Sequence, residues 1–212
     1  MTSMQRILFT TLTSFLIFGS GYTQSIIEAK AVMDRVSQKL QSYKSLKIEF
    51  TFTLENEDEP VNDSMEGTLL LAGNKYRLNV MGILALCDGE ALWTVNDELK
   101  EVNVMNPDEN ELFNPSDIFS LYDKKFTYQP VSSTPERAII DLIPAEKEDS
   151  YTKIRLEILK AKDQIEEVTY FSTDGNLYII TINSLTANVP ADERKFTFES
   201  KDFPGLKVFD LR

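Results

Sequence analysis

The stretch that decides the fold is Leu84-Ala-Leu-Cys-Asp-Gly-Glu-Ala-Leu-Trp-Thr-Val95. Two short apolar runs flank Asp88-Gly89 in this stretch. An Asp-Gly pair between apolar runs is a strong signal for a β-hairpin, because it favours the positive φ angles of a type I′ turn. The stretch therefore predicts two antiparallel strands joined by a tight turn.

The same pattern recurs along the chain and predicts a long antiparallel meander. Leu69–Leu71 should meet Tyr76–Leu78 across Gly73-Asn74, and Val168–Tyr170 should meet Tyr178–Ile180 across Asp174-Gly175. Ten or eleven strands are enough to curl into an incomplete barrel. The predicted strands cover residues 46–54, 65–72, 75–81, 83–87, 90–95, 98–105, 125–130, 136–143, 153–160, 164–172 and 176–184, and the extended tail after Lys195 could pair with a sheet edge.

Two helices are predicted beside the sheet. Residues Ile26 to Tyr43 have apolar side chains at alternating steps of three and four, which line one face of a helix that packs on a core. Asn114-Pro115 is a good helix start, with Asn as the N-cap and Pro in the first helical position. The short helix Ser116–Tyr122 is rich in large apolar residues, so it is predicted to cover the sheet.

Composition removes several classes of function. The 212 residues carry a formal net charge of −12, which disfavours nucleic acid as a partner. The chain has no His and a single Cys, so Ser-His-Asp and Cys-His catalysis, His-ligated metals and an intrachain disulfide are excluded. Asp88 and Glu90 resemble a paired acid, but the turn itself explains them. No catalytic residue, metal or cofactor is predicted, and the protein is not expected to be an enzyme.

The N-terminus has the features of a secretory signal peptide. Arg6 precedes the apolar run Ile7–Phe18, and small residues follow. This run is too short to span a bilayer as a helix, which needs roughly 20 residues. Cleavage is predicted after Thr23, with cleavage after Gly21 nearly as favourable, and no Cys near the site could carry a lipid anchor. The expected product is an exported, periplasmic, single-domain protein of residues 24–212.

Taken in order, these parts resemble the periplasmic outer-membrane lipoprotein carriers of the LolA type. An exported chain opens with a helix that ends near Tyr43 and continues into a Phe-rich strand and Gly67-Thr-Leu-Leu-Leu71. Cys87-Asp-Gly-Glu-Ala-Leu-Trp-Thr-Val95 is similar to the Ser-Asp-Gly-x-x-Leu-Trp-x-Tyr hairpin of the family. The ending Phe196-Thr-Phe198 … Gly205-Leu-Lys-Val208 also matches. The resemblance covers nearly all of the mature chain.

The resemblance implies an α+β fold, mainly β: an incomplete antiparallel barrel whose helices form a lid over a cavity for lipoprotein acyl chains. It also implies an inner-membrane lipoprotein-release ABC transporter as partner, and leaves open whether an outer-membrane acceptor exists. One departure matters. Where known members carry Lys-Arg-Pro, whose Arg fastens the lid, this chain has Ala72-Gly73-Asn74. Closure is therefore expected to depend on apolar contacts between the Ser116–Tyr122 helix and the sheet.

The function predicted from these observations is a monomeric periplasmic chaperone that carries acylated lipoproteins from the inner to the outer membrane. The alternative is a periplasmic lipid- or lipoprotein-sensing regulatory module of the same fold. Apolar strand faces and the short helix should supply the cavity wall, although a one-residue error in register would reverse a face. The predicted lipid-binding residues are Phe50, Phe52, Leu69, Leu71, Leu78, Val80, Leu84, Leu86, Trp93, Ile118 and Phe119.

Overall fold

The computed structural model describes residues 19–56, 62–107, 126–146 and 150–212. These residues form one long helix and twelve strands. In chain order the elements are α1 (Gly19–Gln41), β1 (Leu46–Asn56), β2 (Asn62–Ala72), β3 (Lys75–Val80), β4 (Ile83–Cys87), β5 (Leu92–Asn96), β6 (Glu101–Met105), β7 (Phe126–Ser133), β8 (Arg137–Pro144), β9 (Tyr151–Leu159), β10 (Gln164–Ser172), β11 (Asn176–Ala187) and β12 (Lys207–Asp210).

All twelve strands belong to a single open, curled sheet. Their order is β12-β6-β5-β4-β3-β2-β1-β11-β10-β9-β8-β7, and only β12 pairs parallel to its neighbour. The sequential order is therefore broken twice, where β11 pairs with β1 and where β12 pairs with β6. This arrangement confirms the predicted mainly β, incomplete-barrel class with an N-terminal helix. The twelfth strand is the C-terminal tail, which pairs with the β6 edge as the sequence suggested.

Two of the predicted hairpins form with the expected partners. Leu71 pairs with Tyr76 and Leu69 with Leu78 across the Gly73-Asn74 turn. Val168 pairs with Ile180 and Tyr170 with Tyr178 across Asp174-Gly175. Gly73 has a φ of +62°, a conformation that glycine adopts without a steric penalty.

The β4–β5 hairpin also forms, but its turn is not the predicted type I′. Cys87 pairs with Leu92, so four residues, 88–91, make the connection. The Asp88 carboxylate accepts hydrogen bonds from the backbone amides of Glu90 and Ala91, each 2.9 Å long. A type I′ turn needs positive φ at both central residues. That pattern occurs instead at Met81 (φ +57°) and Gly82 (φ +73°), between β3 and β4.

The sheet has an inner face, which packs against α1, and an outer face. Because side chains alternate along a strand, the register assigns each residue to one face. Leu46, Ile48 and Phe50 of β1 point to the inner face and share the main core with the buried stripe of α1. The outer face of β1 and its neighbours is polar. Hydrogen bonds such as Thr51 Oγ1 to Glu66 Oε1 (3.1 Å) and Ser184 Oγ to Glu49 Oε2 (3.0 Å) connect it.

Helix α1 begins earlier than predicted and buries a slightly different stripe. Ala29, Met33, Val36 and Leu40 are buried as expected, together with Val32, whereas Ile26 at the start of the predicted stripe is 37% exposed. Val32 follows Ala29 by three residues, so it widens the same face. None of the helices in the described part of the chain has the length and apolar character needed to cross a membrane.

A second core lies on the outer face of β4, β5 and β6. Leu86, Val95, Val102 and Val104 point away from α1, yet each is at most 4% exposed. The C-terminal segment after β11 covers them. Its Phe196 is 1% exposed. An ion pair between Glu193 and Lys75, which lies on the outer face of β3, holds this segment against the sheet. The outer face of β4, β5 and β6 is therefore apolar and buried.

Candidate functional site

The inner face changes from a closed core at one end to an open apolar surface at the other. On β1, Leu46, Ile48 and Phe50 are at most 4% exposed, whereas Phe52 and Leu54 are only half-buried. The neighbouring strands repeat this gradient, since Tyr76 at the start of β3 is buried and Val80 at its end is half-buried. We call the end of the sheet near Leu46 the helix end and the end near Leu54 the open end.

Helix α1 closes the helix end. Arg35 Nε lies 2.8 Å from Asp163 Oδ1, and the Lys39 ammonium donates to the carbonyl of Lys162. Glu28 Oε1 lies 2.7 Å from Lys160 Nζ. All three contacts reach the β9–β10 connection at residues 160–163, so α1 is anchored at the helix end and leaves the open end uncovered.

The apolar surface at the open end is defined as the open-end patch. Its members point to the inner face, come from neighbouring strands and are half-buried, apart from Ile83, which is 37% exposed. The Phe52 and Tyr178 rings stack with their centroids 6.2 Å apart. The patch consists of Phe52, Leu54, Met65, Leu78, Val80, Ile83, Tyr170, Tyr178 and Ile180.

Polar side chains border the open-end patch. Asn56 Nδ2 donates to Asn176 Oδ1 at 2.7 Å, and Asn176 Nδ2 donates to Asp174 Oδ2 at 2.9 Å. Hydrogen bonds from the Ser172 side chain and the Asn176 backbone hold the pKa of Asp174 below its ordinary value. The register also points Asp63, opposite Leu54, and Glu101, opposite Asn96, to the inner face. Towards the open end, the apolar side chains of the inner face therefore give way to carboxylate and amide groups.

A smaller cavity of about 210 Å³ lies between α1 and the β7–β8 hairpin. Ala29, Val32, Ala138 and Ile140 supply most of its apolar wall. Glu28 closes one side through its contacts with Lys160 and Ser133 Oγ, which donates to Glu28 Oε1 at 2.8 Å. Sites for drug-sized ligands usually have about 300–1,000 Å³. This cavity is thus too small to enclose a long acyl chain.

The eleven predicted lipid-binding residues divide into four groups. Phe52, Leu78 and Val80 belong to the open-end patch, whereas Phe50, Leu69 and Leu71 share the inner face but are buried in the packed core. Ile118 and Phe119 lie outside the described residues. The remaining three residues occupy the opposite face of the sheet.

The placement of Leu84, Leu86 and Trp93 in the same wall as Phe52 is wrong. Leu86 pairs with Trp93 and with Arg77, all on the outer face. Ala85 and Cys87 take the inner positions on β4. The physical reason is that β4 is apolar at both its inner and its outer positions. A strand that is apolar on both faces has no alternation that would identify the inner one.

The prediction missed several members of the open-end patch. Leu54 continues the clear alternation of β1 and could have been included from that pattern. Tyr178 and Ile180 lie in the continuous apolar run Leu177-Tyr-Ile-Ile180, which does not reveal its inner side. Their place on the inner face follows only from their pairing with Leu54 and Phe52.

One buried carboxylate that the sequence did not indicate has structural partners. Asp141, 4% exposed on the outer face, accepts hydrogen bonds from Arg155 (2.7 and 3.0 Å) and Lys153 (2.9 Å). Burial alone would raise the pKa of Asp141, but these hydrogen bonds outweigh burial and keep that pKa low. Within the described ranges, no group of three or more Cys, Asp or Glu side chains could hold a metal ion. The arrangement suits binding of apolar ligands rather than acid-base catalysis.

Comparison with known families gives the decisive match. Residues 41–199 match the family described as outer membrane lipoprotein carrier protein LolA. The chain belongs to the LolA family. No curated protein matches the chain.

Several solved structures are similar to this chain at low sequence identity. An uncharacterised conserved protein from Thermus thermophilus superposes with a TM-score of 0.52 at 12% identity, covering 86% of this chain and 99% of that one. A putative outer membrane lipoprotein-sorting protein domain from Vibrio parahaemolyticus has a TM-score of 0.48 at 12% identity, with coverages of 81% and 97%. A LolA superfamily protein from Nitrosomonas europaea has a TM-score of 0.47 at 11% identity, with coverages of 80% and 97%.

Proposed function

We propose that this LolA-family protein is an exported carrier that shields the acyl chains of lipoproteins on the open-end patch. The observation that carries the proposal is the open-end patch, a half-buried apolar surface on the inner face. It lies next to the core against which α1 packs. Apolar surface left uncovered at the inside of a curled sheet costs free energy in water, and an acyl chain would recover it. Family membership supports the same conclusion.

Binding of this kind needs no catalytic group. Each buried CH₂ contributes roughly 0.8 kcal/mol, so an acyl chain that buries ten of its methylenes gains about 8 kcal/mol before the costs of association. Those costs lie between about 4 and 15 kcal/mol. The net affinity is thus weak for ten methylenes of one chain, with Kd about 1 mM at best, and higher for longer or several chains. This range suits a protein that must both take up its cargo and release it.

The cellular setting of the proposal comes from the sequence and the family. We propose that residues 1–23 are removed on export, that residues 24–212 act as a periplasmic monomer, and that cargo comes from an inner-membrane lipoprotein-release ABC transporter. An outer-membrane acceptor would complete the route. Closure by Ile118 and Phe119 concerns residues outside the described ranges and stays a prediction.

The proposal is tested by one substitution on each face of β1. Leu54→Gln places an amide in the open-end patch, whereas Thr53→Gln places the same amide on the outer face one residue away. Loss of the leucine contact is worth about 1–2 kcal/mol. Leu54→Gln should therefore weaken binding of a fluorescent fatty-acyl probe about 5- to 30-fold. Thr53→Gln should bind like wild type. Equal binding by both variants would remove the open-end patch as the acyl site.

A further inference from the structure

The open end of the sheet is strongly acidic. Seven carboxylates lie in or beside its connections in the described residues, against two lysines, Lys100 and Lys207. Lys100 is already paired with Asp97 at 2.7 Å. We call the seven carboxylates the acidic rim: Glu55, Asp63, Asp97, Glu98, Glu101, Glu146 and Asp174.

The helix end has no such excess of negative charge. From Ser25 to Gln41, α1 carries Glu28 and Asp34 against Lys30, Arg35 and Lys39. The adjoining β9–β10 connection contains two lysines and one aspartate. Among the described residues, charge is therefore polarised along the strands, and its negative pole coincides with the end of the apolar surface that α1 does not cover.

Some rim groups face the ligand side directly. Asp63 and Glu101 point to the inner face at the last positions before the strands end. Next to Asp63, at the ends of β1 and β11, Asn56, Asn176 and Asp174 form a hydrogen-bonded chain at the margin of the patch. Carboxylate and amide oxygens accept hydrogen bonds from hydroxyl and amide donors. The carboxylates offer a phosphate oxygen repulsion rather than a partner.

We infer that the acidic rim selects acyl ligands whose polar end is uncharged or cationic and rejects those with a phosphate headgroup. The inference rests on the proposed function and names the substrate class for the same site: an acylated peptide or acylglycerol end rather than an anionic phospholipid. Such selection would let a carrier take up a lipoprotein in the presence of a large excess of membrane phospholipid.

The size of the effect follows from Coulomb's law. A unit charge about 10 Å from a phosphate in water changes the binding constant by a factor of about two, and less in salt. Five net negative charges at this distance would weaken binding of an anionic ligand about thirtyfold without salt. Screening with a Debye length of about 30 Å at low ionic strength and about 8 Å at physiological salt reduces this to roughly tenfold and about threefold. A preference between the two ligand classes that falls with added salt is the signature of this mechanism, because salt screens charges but does not screen apolar contacts.

The test compares monooleoylglycerol with its phosphate ester, lysophosphatidate, which has the same acyl chain. Each ligand displaces an uncharged fluorescent acyl reporter from the wild type and from two variants. The rim variant is Asp63→Lys with Glu101→Lys. The control is Glu90→Lys with Glu136→Lys, which makes the same change in net charge at exposed positions of the helix end. Thermal melts establish that all three proteins are folded.

We expect wild type to prefer monooleoylglycerol about tenfold at low salt, and the rim variant to lose most of that preference. The control variant should keep at least half of it on a logarithmic scale. Equal affinities for both ligands in wild type, or equal loss of preference in the two variants, would overturn the inference while leaving acyl binding intact. Failure of both ligands to displace the reporter would instead refute the proposed function.

Discussion

The close contact between Phe50 and Gly67 predicts that a side chain at position 67 destabilises the protein. The two residues face each other across β1 and β2, and the Phe50 ring lies over the glycine. A Cβ at position 67 would lie 2.9 Å from Phe50 Cε1 and still closer to two other ring atoms. Phe50 is 4% exposed and belongs to the main core, so a shift of the ring disturbs its packed neighbours. Gly67→Ala must therefore displace the packed core.

Two opposing free-energy terms set the effect of Gly67→Ala on stability. Replacing a strand glycine by alanine normally favours folding by about 0.5–1 kcal/mol, because the unfolded chain loses freedom. Overpacking a well-filled core costs about 1–3 kcal/mol. We expect Gly67→Ala to lower the free energy of unfolding by about 1–2 kcal/mol, measured by urea denaturation. Thr68→Ala, on the outer face of the same strand, serves as the control.

A double-mutant cycle separates the ring contact from a general effect of the glycine. In a Phe50→Leu background the ring is gone, so Gly67→Ala should become neutral or slightly stabilising. The coupling energy should be about 1–2 kcal/mol, which is well above the error of the method. If Gly67→Ala cost the same with and without the ring, the proposed reason for the glycine would be wrong.

Two further predictions concern the turn and the charged cluster. Met81→Asn should raise the free energy of unfolding by about 1 kcal/mol in urea denaturation, because Asn tolerates the positive φ at this exposed type I′ position better than Met does; no gain would mean that the turn relaxes in solution. Asp141→Asn should cost about 3 kcal/mol at pH 7, because it leaves Arg155 and Lys153 without their buried carboxylate. Since the folded pKa of Asp141 is lowered, its contribution is present above the unfolded pKa near 3.9 and is lost as the pH falls through the folded value. The wild type should therefore lose stability more steeply than Asp141→Asn below about pH 4, and parallel pH profiles would contradict this.

The sequence was sufficient for the strands and their hairpins because local chemistry determines both. Gly73 and the Asp174-Gly175 pair mark turns whose strands pair as predicted. The alternation from Leu46 to Leu54 correctly identifies the inner side of β1. Turn type was less accessible, since Asp88 acts through its side-chain hydrogen bonds, and the type I′ turn at Met81-Gly82 lacks the usual Asn or Asp.

The site could be predicted only where a strand has one wet face. The inner position of Phe52 was readable because Thr51 and Thr53 flank it. Leu84, Leu86 and Trp93 were misplaced because the C-terminal segment, distant in sequence, buries the outer face of their strands. The gradient of burial from Leu46 to Leu54 depends on where α1 ends against the β9–β10 connection. Such long-range packing leaves no local signal.

The central claim is that the protein binds acyl chains at the open end of the sheet, and native mass spectrometry tests it most directly. Protein exported from cells that make acylated lipoproteins should show, beside the free mass, a species heavier by an acylated protein or peptide. That species should be depleted in Leu54→Gln and retained in Thr53→Gln. A spectrum with only the free mass for wild type, under conditions that preserve a known acyl complex, would contradict the account.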